Sequence, residues 1–144
     1  VIDAPEGAEP AIVDLASAAG IPESRVHVRG ALEPRDRAAV IGQARAFLAP
    51  SQRAAYPWRV LEALELGVPV VAAASAVHAE VIVDGGLLVG EDRNPDAAAF
   101  GAAVVQAVTD DDAAARLRVL ATDRARSFSW REAAERVWQL HADL

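Results

Sequence analysis

Glu62 lies past the end of an apolar strand, behind the loop Pro50-Ser51-Gln52-Arg53-Ala54-Ala55-Tyr56, near the start of a helix that the pattern opens at Pro57. A carboxylate placed there can accept from two neighbouring hydroxyls at once. The amino end of the same helix would offer backbone donors and a favourable dipole to a phosphate. Taken alone, Glu62 is more simply an acid in a helix's first turns, held by that dipole. Arg53 and Arg59 flank the loop, where arginines are more often solvated than bound. Ser51 has no base near it in sequence, which disfavours nucleophilic catalysis. His78 reads as a surface or helix-start residue rather than an acid–base group. His27, His78 and His141 share no ligand spacing, so neither a metal nor a cofactor is expected. Glu80 reads as a helix-orienting acid.

Composition narrows the chemistry further. The 144 residues suit one domain, spanning 1–144, with a sizeable core. The content is 53% hydrophobic, which excludes general disorder. The net charge of -7 disfavours nucleic acid and anionic membranes as partners. All 14 basic residues are arginine, so no lysine can form a Schiff base or hold a phosphate. Without cysteine there is no disulfide and no thiol chemistry, which fits a cytoplasmic protein. No apolar run reaches the length of about 18 residues that a transmembrane helix needs. The chain opens on Val1-Ile2-Asp3, already strand-like, as a piece of a longer polypeptide would.

The elements that must position these residues alternate. Short strands are expected at 1–3, 26–30, 46–50, 68–74 and 86–90. Between them, Ile12, Leu15, Ala16 and Ala19 mark one helix, closed by Gly20. Val40, Ile41 and Ala44 mark a second, opened by Pro34, and Val60, Leu61 and Leu64 a third, stopped by Gly67 and Pro69. A short helix is expected over 77–81. The 68–74 run is apolar throughout, as in a central parallel strand. From Asn94 onward the pattern is helical: Asn94-Pro95 as a start, a second start at Asp110 to Asp112, and a capping box at Ser129 and Glu132. Trp130, Val137 and Trp138 should then pack the last helix on the body. The class is α/β: an open, Rossmann-like parallel sheet of five strands or slightly more, helices on both faces, and a helical C-terminal tail. Such sheets bind ligands at the carboxyl ends of their strands, which directs attention to Asp3 to Gly7, Arg29 to Leu32, Ser51 to Arg59, Ala74 to His78 and Gly90 to Arg93.

Pro50-Ser51, Leu61-Glu62-Ala63, Gly67, Pro69-Val70-Val71, Glu80, Asp84-Gly85 and the closing FSWREAAERV together resemble the C-terminal domain of retaining, GT-B-type glycosyltransferases. The group is the large family 4-like one, glycosyl transferases group 1, and the likeness runs from about Asp14 to the end. It implies one half of a GT-B fold that binds a nucleoside diphosphate-sugar donor. The acceptor lies in an N-terminal domain absent from this chain. The second acid of the family's E-x7-E pair holds the ribose hydroxyls and matches Glu62. The first, facing the donor sugar, is Ala54 here. Beside it, Arg53 and Arg59 flank the loop where they could meet a diphosphate, Ser51 counts among the substrate-binding residues, and backbone atoms around Arg29 to Leu32, Gly30 among them, would meet the base. The family's glycine-rich loop reads Ala55-Tyr56-Pro57, stiffer and fuller. Its Arg and Lys clamp would lie before Val1.

Two functions follow from this pattern. One is the donor-binding half of a glycosyltransferase, inactive by itself. The other is a non-catalytic module with a degenerate donor site, used for protein contacts or regulation. A phosphorylatable signalling receiver would need a late lysine that the chain lacks.

Overall fold

Val70, Val71, Ala72 and Ala73 form a strand in which every residue is buried, the burial expected of a parallel strand covered on both faces. It is the middle of a three-stranded parallel sheet in a computed structural model that describes residues 1–53, 55–91, 94 and 96–142. In chain order the elements are β1 (Ile2–Asp3), α1 (Glu9–Ala18), a 3-10 turn (Glu23–Arg25), β2 (Val28–Arg29), α2 (Pro34–Gly42), β3 (Phe47–Ala49), α3 (Trp58–Glu65), β4 (Val70–Ala73), α4 (Ala76–Ile82), β5 (Gly86–Val89), α5 (Ala97–Thr109), α6 (Asp111–Ala125) and α7 (Trp130–Ala142). The strand–helix alternation and the helical C-terminal region are those read from the sequence.

The chain divides into two units, Val1–Val40 and Ile41–Leu144. In the first, β1 pairs in parallel with β2 through Ile2–Val28 and Asp3–Arg29. In the second, β3, β4 and β5 pair in parallel, Phe47 with Val70 and Val70 with Gly86. Among the described residues all strand pairs are parallel. The ladders nevertheless form two sheets rather than the single five-stranded sheet expected. The physical difference is strand length: β1 and β2 are two residues each, and only Val28 of the four is buried.

The pleat of β4 divides the core of the second unit. Val70 and Ala72 face Val60, Leu64, Val81, Ile82 and Ala121, while Val71 faces Ala107 and Leu117. Helices thus cover both faces of β4. β5 can approach closely because Gly86 faces Val70, where a Cβ would lie 2.8 Å from the Val70 carbonyl oxygen.

Glycine closes α1 and α3 as expected. After α3, Gly67 adopts φ +65, its N–H donates to Leu64 O and that of Val68 to Ala63 O, the paired bonds of a Schellman ending. Other expectations shift. Helix α5 is capped by Asp96, which accepts from Ala99 N at 2.8 Å, because its side chain immediately precedes the first turn. Asn94 bridges Glu91 instead, and Pro95 lies outside the described residues. Asp110 and Ser129 cap α6 and α7 as the pattern suggested, accepting from Ala113 N and Glu132 N.

The final helix corrects an expectation. Trp130 is 83% exposed and Trp138 73%, and α7 buries no residue. Its apolar stripe exists, but no described element covers it. No described helix is long and apolar enough to cross a membrane.

Candidate functional site

Of the residues singled out from the sequence, Ser51 and Arg53 lie in the loop that leaves β3, and Arg59 and Glu62 on the helix α3 to which it leads. The loop between β3 and α3 begins with Ser51, whose Oγ accepts from Arg53 N at 3.2 Å, a local turn that serine favours. The Arg53 side chain is exposed. Ala54, which the resemblance matched to the first acid, lies outside the described residues. Pro57 is buried, whereas Tyr56 and Trp58 stay at the surface with ring centroids 4.6 Å apart. The bulk in this loop is therefore directed outward at Tyr56 and inward at Pro57.

Helix α3 starts at Trp58, which makes Glu62 its fifth residue, and its first turn carries no acid. The dipole effect falls off within the first turn, so it gives a weaker account of Glu62 than the sequence allowed. Arg59 Nη1 donates to Glu62 Oε2 at 3.2 Å. That pairing draws the carboxylate back toward the amino end of the helix, where the β3 loop arrives. The Glu62 side chain is 33% exposed and that of Arg59 46%. Glu62 also lines a groove of about 590 Å³ with Trp58, Leu61 and Glu65 on one wall and Thr122 and Trp130 opposite. The spacing of 58, 61, 62 and 65 puts those four on one helix face.

Two residues matter here that sequence reasoning undervalued. Gln52 Nε2 donates to Ala74 O at 2.7 Å and to Glu91 O at 2.8 Å, joining the β3 exit to those of β4 and β5. His78, expected as a surface or helix-start residue, does stand at a helix start, in the first turn of α4, but is only 2% exposed. Ser75 Oγ caps its backbone N–H, and His78 Nδ1 contacts Ala73 O at 2.8 Å. A carbonyl can only accept, so Nδ1 carries the proton. The ring is thereby committed to holding the end of β4. A loop glutamine and a lone histidine carry no periodic signal; the Ser75–His78 cap spacing was the only hint.

Glu80 is exposed, and its backbone is what the fold uses: Arg124 donates to Glu80 O and Val81 O, both at 2.8 Å. Gly30 belongs to the first unit. A Cβ there would lie 2.8 Å from Ala4 O, so close packing beside the β1 exit by itself accounts for glycine.

Chemically, α3 offers a half-shielded carboxylate with an arginine beside it, and the loop before α3 offers a serine hydroxyl and a glutamine tied to two further strand exits. A carboxylate can accept from vicinal hydroxyls, and a guanidinium and a hydroxyl can donate to phosphate oxygens. The family model of glycosyl transferases group 1 matches residues 4–110, from the end of β1 through α5. No curated protein matches the chain.

Proposed function

Because the chain belongs to the glycosyl transferases group 1 family and has the Rossmann-like build of a GT-B C-terminal domain, we propose that it binds a nucleoside diphosphate-sugar donor at the carboxyl edge of β3–β5. The observation that carries this reading is Glu62, half-shielded and drawn back by Arg59 to the amino end of α3. Ribose hydroxyls donate to its carboxylate. The Arg59–Glu62 pair does not oppose this strongly, since a partly exposed ion pair of this kind contributes at most about 1 kcal/mol. In this reading the Arg59 guanidinium, beside the acid, donates to the diphosphate. The Ser51 hydroxyl, whose oxygen already accepts from Arg53 N, has its proton available for the same group.

In this reading residues 1–144 act as the donor half of a cytoplasmic, two-domain transferase, with the acceptor on the N-terminal half. The isolated chain transfers no sugar, because transfer takes place between the halves. A second reading is favoured by one residue: Ala54 occupies the position of the acid that faces the donor sugar. On that reading the domain is a non-catalytic module.

Titration with UDP, GDP and ADP, followed by NMR on wild type, Glu62→Ala and Glu62→Gln, separates the two. Charge-assisted hydrogen bonds contribute about 1.5–3 kcal/mol each, so losing the acid should weaken the preferred nucleotide about tenfold or more. Equal binding by all three proteins would reduce Glu62 to a helix residue. No binding by wild type at several millimolar would favour the non-catalytic module.

A further inference from the structure

We propose that Gln52 is a positioning residue: its amide clamps three strand exits together, and so fixes the loop that leads to Glu62 in one conformation. This rests on the donor-binding reading for its purpose but not for its geometry. The Gln52 amide nitrogen carries two hydrogens, and both are used, one on Ala74 O at 2.7 Å and one on Glu91 O at 2.8 Å. Both partners are carbonyls, which only accept, so the nitrogen rather than Oε1 must face them. Ala74 is itself tied to β5, its N–H donating to Val89 O at 2.8 Å. One side chain of the β3 loop therefore rests on a junction already locked between β4 and β5.

The surrounding loop has little else of this kind. The residues from Pro50 to Pro57 have no helix or strand pairing among those described. Their other hydrogen bonds are local, such as Arg53 N to Ser51 Oγ and Trp58 N to Tyr56 O. Among the described residues of the loop, Gln52 alone reaches another strand's exit through its side chain. The loop sets where Ser51 and the start of α3 stand, and through α3 where Arg59 and Glu62 stand. Releasing the amide would let the loop sample several conformations, and a ligand that needs one of them binds more weakly by the fraction lost. His78 completes the support from the other side, holding Ala73 O one residue before the carbonyl that Gln52 holds.

The test is hydrogen exchange and nucleotide titration on wild type and Gln52→Met, which has similar length, no donor and no added charge. In wild type, both Nε2 hydrogens of Gln52 should exchange more slowly than those of Gln139, on the exposed face of α7. In Gln52→Met, exchange at the Arg53 amide, which donates to Ser51 Oγ in the same loop, should rise about tenfold, the scale of one lost hydrogen bond, while Leu64, Val70 and Ile82 stay protected. Affinity for the nucleotide that binds wild type should fall about fivefold, the middle of what one lost hydrogen bond removes. Gln52 side-chain protons as labile as those of Gln139, or an Arg53 amide unchanged in the variant, would overturn the clamp, and the first readout stands even if Gln52→Met proved too unstable to study. A clamp that loosens the loop without weakening nucleotide would make Gln52 structural only. If wild type binds no nucleotide, the donor reading fails, and the exchange data still decide whether the clamp exists.

Discussion

The two units are built from the same kinds of residue with different results. In Val1–Val40 only Val28 among the apolar side chains is buried, and Leu15 of α1 is 72% exposed. In Ile41–Leu144 a continuous core forms around β4, with Val70 and Ala72 to one side and Val71 to the other. The contrast shows what an apolar pattern needs before it becomes a scaffold. Helix α1 has a helical stripe and a well-formed glycine ending, but the two-residue strands beside it give the stripe little to cover. Helix α3 meets a strand long enough to present side chains to both faces. Of the proposed site residues, Gly30 lies in the first unit, and Ser51, Arg53, Arg59 and Glu62 in the second. On the proposed reading, a carboxylate that holds two hydroxyls at fixed spacing belongs on the element with the firmest base.

The largest effect that tests this contrast is loss of a core side chain. Leu64→Ala should destabilise the second unit by about 2–5 kcal/mol, because Leu64 is fully buried between α3, β4 and α6. Leu15→Ala should change stability by less than about 0.5 kcal/mol. Paired urea melts would show the difference, and comparable losses at the two leucines would erase it.

A smaller effect sharpens the comparison within the second unit itself. Trp138→Ala removes the bulkiest kind of side chain, and a buried tryptophan typically costs about 3–5 kcal/mol to truncate. Because Trp138 is exposed on α7, the loss should stay under about 0.5 kcal/mol. A loss above about 2 kcal/mol, beyond what surface substitutions give, would mean that the apolar stripe of α7 is packed in solution.

How far the sequence spoke depended on whether a signal was local. Gly20 and Gly67 end helices through their own backbone conformation, so their neighbours alone reveal them. The buried run of β4 is also legible, because no polar residue interrupts it. The place of Glu62 beyond the β3 exit followed from strand, loop and helix order. What escaped depended on partners distant in sequence. The reach of Gln52 to Glu91 spans 39 residues, and nothing near Gln52 announces it. The burial of His78 follows from how α4 sits on the core, not from a motif. Helix α7 erred the other way: its tryptophans and its Ser129 cap make a convincing amphipathic helix, but a stripe in sequence does not supply the surface that would cover it. Asp96 displaced Asn94 as the cap of α5 because two good capping residues stood two positions apart, and only the backbone chose between them.

The central claim is that nucleotide binds at the carboxyl edge of β3–β5, and mapping amide shifts on the wild-type chain during titration tests it most directly. With the nucleotide that binds, the account predicts the largest shifts at Ser51, Arg53, Tyr56, Arg59 and Glu62, with Gln52 side-chain signals moving as well, and loss of those shifts in Glu62→Ala. Shifts concentrated on α7 or α5, with residues 51–62 unmoved, would contradict it.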